Sequence, residues 1–210
     1  MARAAETRRR TRIQEEKETL ILSAALEVFA QTGFAGTTLD DIAGLAGMSK
    51  PNLIYYFASK EEIYRAVLGR TLATWLEPLI ALDPTGEPLA EIRDYISRKL
   101  EMSRERPQES RLFAGEILAG APLIRDALEG DLKNLVDEKV AVIRQWIADG
   151  MLAAHDPYHL IFAIWAMTQH YADFDVQVQA VLGRETDESA RYAGAERFME
   201  EVILRGLRPE

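Results

Sequence analysis

A chain of 210 residues, 48% hydrophobic and 28% charged, has the composition of a protein that buries a core, and its length allows one large or two small domains. The absence of cysteine excludes a disulfide framework, a thiolate nucleophile and cysteine-ligated zinc, so a reducing cytoplasm is the expected location. The net charge of −9 is unevenly spread, with ten basic and nine acidic residues in 1–70 against fifteen and twenty-five in the remainder.

Residues 1–14 read as a basic arm without apolar periodicity, expected to be disordered without a partner. Its Arg8, Arg9, Arg10 and Arg12, opposed locally only by Glu6, suit phosphates or a narrow minor groove. From Glu15 to Gln31, Leu20, Ile21, Ala24, Ala25, Val28 and Phe29 recur at helical spacing until Gly33. No apolar run approaches the roughly 20 residues of a membrane span, and the basic start lacks an apolar signal core, so no membrane partner is expected.

Thr38 to Phe57 reads as two short helices meeting at Gly47-Met48-Ser49, the grammar of a helix-turn-helix. Thr38 with Asp41 and Ser49 with Pro51 supply the start signals. The second helix turns Lys50, Asn52, Tyr55 and Tyr56 away from Leu53 and Phe57, toward the phosphates and base edges of a major groove. Thr37, Thr38, Ser49 and Lys60 complete the expected DNA-contacting set. The DNA-binding unit is read as 15–60 and the remainder, 61–210, as a ligand-binding and dimerisation unit.

Ser59-Lys60-Glu61-Glu62 opens a linking helix of about 59–80 that halts near Pro78 and can act as a lever between the two units. After a loop around Asp83-Pro84-Thr85-Gly86, helices are expected at about 89–104, 108–118, 122–149, 157–182 and 188–205. The last two are apolar on more than one face, which suggests a four-helix interface with a second copy.

Trp75, Phe113, Trp165, Gln169, Asp173 and Phe174, with Leu79 and Leu118 as apolar walls, form a candidate pocket. Trp165, Gln169 and Asp173 are spaced by four and share a helix face. A carboxamide presents a donor and an acceptor side by side, matching the paired N–H and C=O of an amide or imide ring, while indoles supply stacking area. Core packing is the competing reading of these aromatic residues. His155 and His159 have the spacing of a metal pair without a third ligand, and no nucleophile elbow, phosphate loop or HExxH is present. No catalytic residues, metal or cofactor are expected.

The run AALEVFAQTGFAGTTLDDIAGLAGMSKPNLIYYFASKEEIYRAVL resembles the DNA-binding domain of TetR-type bacterial repressors, most specifically in Gly33-Phe34, Thr37-Thr38, Ile42-Ala43, Ala46-Gly47, Leu53 to Phe57 and Ser59-Lys60-Glu61. That resemblance implies an all-α fold, with a three-helix reading head and a helical effector and dimerisation domain. It also implies a homodimer on a palindromic double-stranded operator, released by a small-molecule effector. The stretches LEPLIALDPTGEPLAEIRDYISRKLEMSRERPQESRLFAGEILAGAPLI, GDLKNLVDEK and HDPYHLIFAIWAMTQHYADFDVQVQAVLG are similar to the pyrimidine-utilisation repressors of that family. This narrower similarity implies uracil or thymine as effector and genes of pyrimidine breakdown and nitrogen metabolism as targets. A TetR-type regulator of a hydrophobic molecule, and a helical binding protein without DNA recognition, are the alternatives.

Overall fold

Three hydroxyl side chains punctuate the first eighty residues. Thr38 accepts from the Asp41 N–H while Asp41 accepts from the Thr38 N–H, a reciprocal box that starts α2 (Leu39–Leu45). Ser49 accepts from the Asn52 N–H to start α3 (Lys50–Tyr56), and Ser59 accepts from the Glu62 N–H to start α4 (Lys60–Ile80). The Glu62 carboxylate reaches back to the Ala58 N–H at 2.7 Å, one residue before the cap. The turn between α2 and α3 needs a left-handed residue and finds it in Gly47, with φ of 65°.

The computed structural model describes residues 2–183 and 185–209, with side chains from Arg12 onward. Among the described residues it is all-helical. The first helix, α1 (Ala2–Gly36), reaches back through the stretch expected to be a disordered arm. Its sequence has neither glycine nor proline before Gly33, and Arg12–Glu16 and Gln14–Glu18 bond at i,i+4 spacing. Gly33 breaks it with φ of 70°. By length and composition Arg12–Gly36 could cross a membrane, contrary to the sequence reading, but Ile21, Ala24, Ala25 and Phe29 are buried in a core shared with α4.

Beyond α4 come α5 (Pro88–Glu105), α6 (Pro107–Leu118), α7 (Arg125–Ala127), α8 (Lys133–Ala148), α9 (Pro157–Asp173), α10 (Asp175–Leu182) and α11 (Glu188–Leu207). Two expectations are corrected. The linking helix ends at Ile80, two residues past Pro78, and the buried Lys139 ammonium binds the Ile80 and Leu82 carbonyls at 3.1 and 3.3 Å. The expected helix 122–149 starts late, because the buried Glu116 carboxylate holds the Leu123 N–H in a turn at 2.7 Å. It then passes through a π-helical turn at Leu128–Leu132 before α8. The expected helix 157–182 breaks at Phe174, where Ser110 binds the Asp173 carboxylate and Arg111 donates to the Ala172 carbonyl.

Two apolar cores result. One gathers Ile21, Phe29, Ile42, Leu53, Ile63 and Leu68 of α1–α4, and it also takes Leu112, Ala121 and Ile124, so its packing does not stop at residue 60. The other gathers Leu79, Ile92, Ile96, Val140, Ile143 and Ile161, with α5 packed between α9 and α11. Leu128 packs on the first core and Leu132 on the second, so the π turn is where the chain changes cores.

Candidate DNA-reading face and effector site

Leu53 of α3 is fully buried, which fixes which way the helix faces. Tyr55 is 79% exposed, Lys50 and Asn52 are exposed, and Tyr56 is half-buried against Tyr55, edge to face at 5.2 Å. Lys50 meets Asp40 of α2 at 2.8 Å, with both side chains in solvent, an arrangement a phosphate can displace at small cost. Arg12 is exposed and pairs with Glu16 at 2.9 Å; the side chains of Arg8, Arg9 and Arg10 lie outside the described residues.

Other residues of the expected set have structural work as well. The Lys60 ammonium donates to the Phe34 and Thr37 carbonyls at 2.7 and 2.9 Å and lies 4.5 Å from the Phe34 ring centre, clasping the end of α1 to the start of α4. Thr37 is buried, its hydroxyl donating to the Gly33 carbonyl at 2.8 Å. Thr38 and Ser49 are exposed but serve as caps, and the Thr38 hydroxyl holds the Asp41 carboxyl below its ordinary range. Among the described residues of the expected set, the side chains left free to read a groove therefore concentrate on α3.

The expected effector residues divide in the same way. Trp75 of α4 is buried, and so is Leu79. Trp165 is half-buried and donates its indole N–H to the Tyr95 hydroxyl of α5 at 2.5 Å, while Asp173, also half-buried, accepts from Ser110 of α6 at 2.5 Å. Gln169 is half-buried one turn from each on the same face of α9. Three residues depart from the expectation. Phe113 packs on the head-side core, Leu118 is 83% exposed, and Phe174 is 51% exposed, stacked on His170 at 5.1 Å. The break of α9 at Asp173 turns Phe174 outward.

Tyr95 and Lys99 of α5, neither singled out from sequence, touch this cluster, and buried Ser103 follows one turn later. Lys99 is 2% exposed, its ammonium 4.0 Å from the Trp75 ring centre and 3.4 Å from the Trp75 carbonyl oxygen. Burial drives the Lys99 ammonium down to about 7, opposed by attraction to Asp173. Burial pushes the Asp173 carboxyl and the Tyr95 hydroxyl up. A usable signal existed: Ile92, Ile96, Lys99 and Ser103 continue one helical stripe, which puts a lysine and a serine where apolar residues belong.

The model of "Bacterial regulatory proteins, tetR family" matches residues 21–67, and that of "YcdC-like protein, C-terminal region" matches residues 68–210. The HTH-type transcriptional regulator RutR of Escherichia coli strain K12 is 53% identical over 203 residues, covering 97% of this chain and 96% of its own. A TetR-like transcriptional regulator from Rhodococcus sp. RHA1 superposes with a TM-score of 0.66 at 22% identity, over 90% of this chain and 94% of that one. AibR, solved with isovaleryl coenzyme A and operator DNA, superposes with a TM-score of 0.65 at 16% identity, over 90% and 98%. At these identities the two structures speak for the fold alone. The chain is a DNA-binding transcriptional regulator, similar to RutR and without enzymatic function, and belongs to the TetR family.

Proposed function

We propose that the chain is a homodimeric repressor that leaves its operator when uracil or thymine binds the C-terminal domain, and that it controls genes of pyrimidine breakdown and related nitrogen metabolism. The observation that carries the reading is the place of Trp75. It lies in the same helix whose first turn is capped by Ser59, three residues after recognition helix α3 ends at Tyr56. A ligand engaging Trp75 together with Trp165, Gln169 and Asp173 therefore acts on a rod that ends beside Tyr55 and Tyr56. The 53% identity to RutR supports the same reading.

Dimerisation is supported by apolar side chains left open on the last helices, including Phe162, Phe174, Val176, Val181, Phe198 and Val202. Two-fold pairing puts two α3 helices on a palindrome, and the cytoplasm is where such a protein meets its operator. Two dimer states whose operator affinities differ ~100-fold when the effector binds correspond to about 2.7 kcal/mol of coupling.

A gel shift on the chain's own upstream DNA tests the proposal. Retardation that is lost on adding uracil or thymine, but not a greasy amphiphile, is the expected result. Retarded DNA indifferent to both bases up to millimolar concentration refutes the effector, and release by the amphiphile alone replaces it.

A further inference from the structure

A cavity of about 360 Å³ lies where α1 and α4 of the head meet α6, and it shares no lining residue with the cluster around Trp75. Its floor is made by Phe29, Tyr64 and Leu112, all buried, with the Phe29 and Tyr64 rings edge to face at 4.8 Å. The half-buried Phe34 ring, 4.9 Å from Tyr64, closes one side. The rim is polar, formed by the exposed Gln108 and Arg111 of α6. Among the described residues Arg111 makes one hydrogen bond, 3.3 Å to the Ala172 carbonyl, and no ion pair. Tyr64 is 5% exposed, and its hydroxyl has no hydrogen-bond partner among the described residues. Native interiors seldom leave a donor in this state, because it loses its water without replacement. Burial and the nearby Glu116 carboxylate push that hydroxyl up, so it stays a donor at neutral pH; Glu116 itself does not line the cavity and accepts from the Leu123 N–H at 2.7 Å. At Gly115 of α6 a Cβ would meet nothing within 4 Å, so the cavity runs up to the helix backbone.

We infer that this cavity is a second, regulatory small-molecule site and that it takes an aromatic carboxylate. The ring packs on the floor of Phe29, Phe34 and Tyr64, and the carboxylate faces the Arg111 fork, with the Tyr64 hydroxyl and the Gln108 amide as further donors. A planar guanidinium meets a carboxylate with two parallel charge-assisted bonds and has no comparable match in a neutral amide. Aromatic walls add offset and edge contacts to the area they bury, and a volume near the low end for ligand sites limits the occupant to a single small ring system. The site goes beyond the effector reading and does not depend on it. An occupant wedged between the end of α1 and α6 resets the distance between the reading head and the C-terminal domain. Arg111 also links the two regions, since the carbonyl it holds is that of Ala172, the residue before Asp173.

Calorimetry with benzoate and benzamide on the parent, Arg111→Met and Gly115→Met tests this, together with gel shifts on the operator with and without saturating benzoate. The parent should bind benzoate about tenfold more tightly than benzamide, and Arg111→Met should lose that preference. Gly115→Met puts a flexible side chain into open space on a helix that gains propensity, so it should melt no lower than the parent and bind neither probe. Saturating benzoate should shift the operator affinity of the parent about threefold or more and leave that of Gly115→Met unmoved. No benzoate binding by the folded parent overturns the inference, as does equal binding of the two probes or bound benzoate that leaves operator affinity unchanged. Benzoate displaced by uracil overturns it too and leaves the effector reading standing. Should Gly115→Met fail to fold, Arg111→Met decides, and benzoate affinity equal to that of the parent overturns the inference.

Discussion

Lys60 in the reading head and Lys99 in the effector domain are both ammonium groups drawn from water, and their surroundings treat them differently. Lys60 has two carbonyl partners at 2.7 and 2.9 Å and an aromatic face beside it. Lys99, far more deeply buried, has one carbonyl at 3.4 Å and lies against an indole whose own N–H is unpaired. The head is complete as it stands, and each cap and clasp holds α3 at a fixed angle. In the C-terminal domain the donors around Trp75 have few acceptors among the described residues. A reader of DNA gains from rigidity, whereas a sensor gains from a state that a ligand improves.

Substitutions that remove one partner at a time should give opposite signs in the two regions. The largest loss is expected for Lys60→Met, which strands two carbonyls and should lower unfolding free energy by about 2–3 kcal/mol in a denaturant titration. Lys99→Met should raise it by about 1–2 kcal/mol at pH 6, because an apolar side chain replaces a poorly matched charge. A destabilised Lys99→Met would erase the contrast. Thr38→Ala, removing the cap of α2, should lower stability by about 1 kcal/mol by the same titration. Tyr55→Ala is expected to move stability by less than about 0.5 kcal/mol while weakening operator binding in a gel shift, since Tyr55 packs outside the core.

The contrast also has a pH signature. In the fold the Lys99 ammonium titrates at about 7 instead of its ordinary 10.5, so between those values the unfolded chain holds a proton that the folded chain has released. Stability contributed by this group therefore rises with pH across that window, by at most about 1.4 kcal/mol per pH unit, and is lowest below about 7 where both states are protonated. Asp173, raised by burial, contributes the opposite slope at lower pH, and Tyr95, raised from its ordinary 10, acts only from about pH 10 upward. Melting temperature followed from pH 7 to 9.5 should climb more steeply in the parent than in Lys99→Met; parallel curves would refute this account of Lys99.

What could be read from the sequence follows the range of the interactions. Thr38 with Asp41 and Ser59 with Glu62 act over three residues, and Ser49 caps the helix that Pro51 opens, so residue type and spacing revealed them. The aromatic and polar face of α9 was visible because Trp165, Gln169 and Asp173 lie within one helix. Lys60 resembled a phosphate contact because its partners, Phe34 and Thr37, lie 26 and 23 residues away. The break after Asp173 was hidden for the same reason, since Ser110 approaches it from 63 residues away. Leu118 has an apolar side chain in a promising stretch, yet only packing could show that it faces outward.

The chain has three tryptophans, and their distribution has a spectroscopic consequence. Trp146 is buried in the C-terminal core with its N–H bound to the Pro84 carbonyl at 3.2 Å. Trp75 and Trp165 both belong to the cluster around Lys99 and Tyr95. On the proposed effector reading, a ligand bound against both changes the surroundings of two emitters and leaves the third as an internal reference, so the intrinsic fluorescence of the unlabelled protein would gauge its occupancy.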